Sequence, residues 1–316
     1  MARDLRVCSP DVFLTYFRFG VSPGDVSGLE LRAFLLSSSS SPESAASRLL
    51  ELAKSAQPRK AQTLVDRLID YADAEELTDE GRRGLILSLF DVGDELWELV
   101  PETEGLFDFG IEVSMSRLTW SLIRRLDEAE RYTTLRQGTE EGRALSFIVR
   151  QISHLRPSHG TTSDEALLSA ERVSELEAMV LERIRRHAAD GLLVDVPDLA
   201  YVIYRWTEWG DPSEAKTWTA QVAANPDTLA KLLVAFLSDI RVESLGGEGE
   251  GRRSTRHVLD PKDLEPFIDP SSLVEPTQQL LERESLEPRS RLAAETFLRD
   301  YETRARGGDP RTAHDS

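Results

Sequence analysis

One cysteine, Cys8, excludes an internal disulfide framework and fits a reducing compartment. Its neighbours are apolar and no basic activator is evident, so the thiol reads as a small buried hydrophobe. Long apolar runs are also missing. Leu232 to Leu237 is among the longest, far short of the roughly 18 residues of a membrane span, and the N-terminus has no signal-peptide core. A cytoplasmic protein without a membrane span is expected. Positive charge is scarce: 38 Lys and Arg face 56 Asp and Glu, a formal net charge of -18, which argues against broad binding to nucleic acid or anionic lipid. What basic charge there is comes almost wholly from arginine, to which the sequence assigns no role. The histidines, His154, His159, His187, His257 and His314, lie apart without the close pairing of a zinc site, so no metal is expected. No alternating run of β-branched residues with hairpin turns stands out, and no fixed repeat period emerges.

What the chain has instead is helical punctuation. Ser9-Pro10, Ser41-Pro42, Asp211-Pro212 and Asn225-Pro226 each place a capping oxygen before a proline suited to the first helical turn. Thr78-Asp79 opens a segment in which Leu85, Ile86, Leu89, Phe90, Leu96 and Trp97 recur at helical spacing until Pro101. The same periodicity runs through 111–126, 144–155, a stripe of Val173, Leu176, Val180 and Ile184 ended by Asp190-Gly191, and 199–209. The fold class expected is all-α, an irregular multi-helix array or bundle without a standard solenoid repeat. About ten or more helices should enclose a core containing Phe90, Trp97, Leu118, Leu122, Val180 and Ile184. The length suits about two domains or one extended helical one. The serine run Ser37 to Ser41 marks the clearest boundary. The expected plan is an N-terminal aromatic helical segment over 1–36, a main helical body over 42–244, a flexible Gly/Arg loop over 245–258, C-terminal helices over 259–305 and a disordered tail over 306–316.

The stretch Arg6 to Leu36 is the most aromatic. In a helix from Pro10 to Phe19, the side chains Val12, Phe13, Leu14, Tyr16, Phe17 and Phe19 cover roughly 220° of the circumference, against about 100° for a helix with one buried face. Val12, Phe13, Tyr16, Phe17 and Phe19 are therefore candidate interaction residues, with enough apolar arc for two neighbours. Cys8-Ser9-Pro10-Asp11, Phe13, Tyr16-Phe17 and Gly24-Asp25-Val26-Ser27 together resemble the segment that follows the ATPase core in bacterial KAP-family P-loop NTPases. Similar stretches follow in order: Leu89-Phe90-Asp91-Val92-Gly93-Asp94, Leu106-Phe107-Asp108-Phe109-Gly110, Tyr204-Arg205-Trp206 with Trp209-Gly210, and Leu259-Asp260 through Phe267-Ile268-Asp269. The resemblance implies a C-terminal helical region of such an NTPase, a family associated with phage exclusion or defence, and it carries no nucleotide-binding residue into this chain. With Met1 only five residues before the matching segment, a split subunit or a fragment is expected, partnered by a P-loop NTPase domain or subunit.

Gly246 to Arg253, GGEGEGRR, has glycines that expose backbone N–H groups, but Arg252 and Arg253 stand where a P-loop needs lysine and a hydroxyl, and Glu248 and Glu250 would repel phosphate. It reads as an ordinary flexible loop. Arg252, Arg253, Arg256 and His257 form a small basic cluster whose first three members are candidate interaction residues for a phosphate or an acidic partner surface. Tyr201, Tyr204, Trp206, Trp209 and Trp218 concentrate aromatic area around Arg205, the residue types of interface anchors, although at helical spacing they read first as core. No catalytic residue and no cofactor is nominated among the abundant carboxylates. Two function classes fit: a noncatalytic regulatory or interaction module of a KAP-type NTPase, and an independent helical protein-binding scaffold. Isothermal titration of the chain with Mg-ATP should therefore give no micromolar binding. Binding that disappears in Arg252→Ala with Arg253→Ala would make the glycine loop a phosphate site after all.

Overall fold

The computed structural model describes residues 50, 65, 66, 68, 69, 72, 77–97, 111–156, 166–244 and 252–311. Among these residues are α1 (Asp79–Trp97), α2 (Ile111–Arg125), α3 (Glu128–Glu141), α4 (Leu145–Ser153) and α5 (Ala170–Ala189). There follow α6 (Leu199–Trp209), α7 (Pro212–Ala223), α8 (Pro226–Phe236), the strands β1 (Ser238–Ser244) and β2 (Arg252–Val258), then α9 (Pro261–Leu264), α10 (Val274–Leu281) and α11 (Pro288–Ala305). The all-α multi-helix array is as the periodicity requires. Two of the four cap-then-proline signals work as expected, the other two lying outside the described residues: Asp211 accepts from the Ser213 amide and Asn225 from the Asp227 amide, starting α7 and α8. Gly191, with φ of 73°, ends the turn after α5 in a conformation that favours glycine. Of the expected core, Phe90, Leu118, Leu122, Val180 and Ile184 are buried. The side chain of Trp97 lies outside the described residues, as do 1–49 and the stretch Leu106 to Gly110.

The chain divides into two compact units, Met1–Glu182 and Arg183–Ser316. The division falls inside α5 and inside the single body expected over 42–244, because unbroken helical periodicity reports a helix and not which core each of its side chains joins.

In the first unit α1 packs against α2, α3 and α4. The contact between α1 and α4 is close because Gly93 has no side chain: a Cβ there would lie 2.5 Å from Phe147 Cγ. Phe147 meets Phe90 edge to face, with ring centroids 5.9 Å apart. Asp94, one residue on, accepts from the amides of Ser146 (3.1 Å) and Phe147 (2.8 Å). It thus caps α4 from another helix, since Ala144 at the N-cap position has no side-chain acceptor. Gly138 of α3 receives the Phe90 ring, and the Ala144 amide donates to the Phe90 carbonyl at 2.9 Å. Arg131 closes the end of α2 by donating to the carbonyls of Ile123 (2.9 Å) and Arg124 (3.1 Å), with a third bond to Leu167 O.

In the second unit α8 packs against α6, α7, α10 and α11 through Leu229, Leu232, Leu233 and Phe236. Arg291 of α11 donates to the carbonyls of Leu281 and Arg283 at the end of α10, the same closure that Arg131 gives α2. The departure from expectation is the hairpin. β1 and β2 pair antiparallel with Ser238 opposite Val258 and Ser244 opposite Arg252, so 252–258 is strand and not flexible loop. The pattern that dictates it is Asp239-Ile240-Arg241-Val242-Glu243, two β-branched residues alternating with charges before a glycine-rich stretch of sequence. The tail also differs from expectation. Arg311 binds both Asp263 oxygens at 2.8 Å and Pro310 is buried, which fixes the chain as far as residue 311.

The close approach of α1 and α4 sets opposite signs for one substitution within one helix. Gly93→Ala should destabilise by about 1–3 kcal/mol through overpacking against Phe147. Gly84→Ala, where an added Cβ meets nothing within 4 Å, should stabilise by about 0.5–1 kcal/mol through helix propensity. Asp94→Ala should cost about 1 kcal/mol as a lost cap. Denaturant midpoints of the three variants check all of these.

Candidate interaction site

Helix α6 carries two stripes at the same spacing. Leu199, Val202, Ile203 and Trp206 recur at i, i+3, i+4 and i+7 and are buried. Tyr201, Tyr204, Arg205 and Glu208 repeat that spacing two residues later, about 200° around the helix, and so lie on the far side. The Arg205 guanidinium stacks 4.9 Å from the Tyr201 ring centroid and 5.3 Å from that of Tyr204, and donates to Glu208. Burial works against its charge, but Tyr201 and Glu208 outweigh it and hold its pKa above the ordinary arginine value. Tyr204 is 51% exposed, one of two large hydrophobic side chains left open among the described residues; the other is Leu192. The outer stripe is therefore a fixed guanidinium between two aromatic rings, the combination that anchors protein interfaces.

The aromatic concentration seen in the sequence is thus divided. Trp206 and Trp218 belong to the core, with ring centroids 5.9 Å apart. The Trp206 indole donates to Glu214 Oε2 at 3.3 Å, and Arg185 binds the same carboxylate through two bonds of 2.9 and 3.1 Å. Arg185 chiefly, with help from Trp206, holds the Glu214 carboxyl below the usual carboxylate range. This network ties α7 to α6 and to Arg185 of α5.

Beside Tyr204 a groove of about 380 Å³ opens between α6, the end of α8 and the α9 segment. Phe236, Pro266 and Phe267 give it an apolar lining, Phe236 and Phe267 lying 5.6 Å apart. Lys262 stands at its edge, and Ser238, the first residue of β1, closes one side.

The other candidate residues fare differently. Val12, Phe13, Tyr16, Phe17 and Phe19 lie outside the described residues. Arg252, Arg253 and Arg256 fall on β2, where the backbone register sets Arg252 opposite Ser244 and Arg256 opposite Ile240. The register sets Arg253 opposite Glu243 and His257 opposite Asp239. Of the segments quoted for the KAP resemblance, two have structural roles among the described residues: Phe90, Gly93 and Asp94 as above, and Asp260 and Asp269 as caps of α9 and of the turn Pro270–Leu273. Asp260 is also held by Arg304 at 2.5 Å. Among the described residues no three or more His, Cys, Asp and Glu gather as metal ligands would, and no helix is long and apolar enough to cross a membrane. The residues that sequence reasoning missed are Lys262, Pro266 and Phe267, which reach the groove from another element; the second stripe of α6 was readable from its spacing. No family model matches the chain, and no curated protein or solved structure matches it either.

The two stripes of α6 predict a separation of stability from surface. Tyr204→Ala should change unfolding free energy by no more than about 0.5 kcal/mol, as an exposed site does. Trp206→Ala should cost about 3–5 kcal/mol, because it empties the contact with Trp218 and leaves a cavity in the core. Chemical denaturation followed by circular dichroism measures both.

Proposed function

We propose that this chain is a noncatalytic helical interaction module that acts with a P-loop NTPase of the KAP type, in the same polypeptide or in trans. The observation that carries the interaction reading is the outer stripe of α6, where Arg205 is held between Tyr201 and Tyr204 while Tyr204 stays open to solvent. Fixing the guanidinium in advance lowers the ordering cost of binding, and aromatic and arginine anchors supply the energy. The NTPase as partner is supported by the ordered KAP-like segments of the sequence, and a role in phage defence would follow from that partner.

The test is affinity purification of the tagged chain from the cells that encode it, with the bound proteins identified by mass spectrometry. A P-loop NTPase should co-purify with the wild type and be lost with Tyr204→Ala plus Arg205→Glu at an unchanged melting temperature. A different protein lost on the same substitutions would identify an independent scaffold. An NTPase retained by the folded double variant would place its binding elsewhere on the chain.

A further inference from the structure

Resting on the interaction-module reading, we propose that the partner contributes an extended segment that adds to the outer edge of β1 as a third strand, seats a large apolar side chain in the groove beside Tyr204, and sets an acidic side chain against Lys262. The two edges of the hairpin differ in what they leave open. On β2 the His257 carbonyl accepts from Arg299 Nη2 at 2.7 Å, and just beyond the strand the Leu259 amide donates to Asp300 Oδ2 at 2.9 Å. Arg299 and Asp300 are themselves joined at 2.9 Å. A carbonyl and the amide two residues later are the groups that a neighbouring strand would use, so the side chains of α11 already take that place at the base of β2.

Those same bonds fix the facing of β1. Because the His257 carbonyl points away from β1, its partner Asp239 directs its own backbone groups outward, and alternation adds Arg241 and Glu243. Among the described residues no strand pairs with that edge. A two-stranded ribbon is marginal by itself and gains from a third strand. Main-chain pairing would provide affinity, and pockets for alternate side chains would provide selectivity. The groove supplies such a pocket where β1 begins: Ser238 is both the first residue of the strand and part of the groove wall. The charge at the groove favours an acidic neighbour for the apolar anchor. Lys262 is exposed and no described carboxylate pairs with it, whereas the adjacent Asp263 is held by Arg311.

The experiment selects linear peptides from a displayed random library on the full chain and titrates the winners as fluorescein-labelled synthetic peptides. The expected winners combine β-branched residues, one large apolar residue and a carboxylate. Their affinity should fall about tenfold or more in Tyr204→Ala and in Lys262→Glu, each folded by circular dichroism. The decisive pair is Arg241→Pro and Arg241→Thr. Proline removes an outward N–H that the β1–β2 ladder does not use, so it should abolish about tenfold or more of the binding while threonine retains it. Peptides that bind Arg241→Pro as well as the wild type, peptides that bind as helices, or a library that yields no binder would each overturn strand addition. An NTPase that still co-purifies with Arg241→Pro but is lost with the Tyr204 and Arg205 double substitution would overturn it while leaving the interaction module intact.

Discussion

The first turn of a helix has amide groups that its own backbone cannot satisfy, and in the first unit that requirement is met across two helices. The Asp94 carboxylate reaches from α1 to the amides of Ser146 and Phe147, which fixes the start of α4 relative to α1. It can do so only if the helices approach closely, and that depends on Gly93 leaving room for the Phe147 ring. Phe147 then sets Phe90, and Phe90 fills the space that Gly138 leaves on α3. One carboxylate and two glycines therefore determine how three helices meet. The sequence run Phe90-Asp91-Val92-Gly93-Asp94, conspicuous as a motif, is conspicuous for packing.

The second unit applies the same logic to a different problem. Its hairpin grows from a helical body and needs its base tied down, which Arg299 and Asp300 do from the flank of α11. Asp300 is fully buried, and its bond to Arg299 and to the Leu259 amide compensates the loss of hydration. The open side of the ribbon and the outer stripe of α6 remain as the surfaces with chemistry to offer.

Much of this architecture was legible before the structure. The capping oxygen and proline at Asp211-Pro212 and Asn225-Pro226 located two helix starts, and the periodicity of 199–209 located a third helix. Local signals of this kind act within a turn, so they survive without tertiary information. Helix α3 was not legible in the same way: Glu128 to Glu141 buries Thr134, Leu135, Gly138 and Thr139, a face too polar to show as an apolar stripe. Its readable sign was Asp127, which caps it through the Glu130 amide. The hairpin escaped because two β-branched residues make a weak period-two signal beside helices. The groove was invisible in principle, since Tyr204 and Phe267 are brought together only by the fold.

The arginines that close α2 and α10 have a consequence for how an acidic protein meets acid. Arg131 and Arg291 each bind two successive or nearby carbonyls at a helix end through separate donors of one planar group, which a lysine ammonium cannot match in geometry. Carbonyls do not titrate, and a guanidinium keeps its proton far beyond the range in which carboxylates gain theirs. As the pH falls, an ion pair such as Arg185 with Glu214 loses its carboxylate charge, whereas a bond from a guanidinium to a neutral carbonyl contains no such group. The chain thus has one set of fastenings that acid can loosen and another that it cannot, and the second set holds helix to helix.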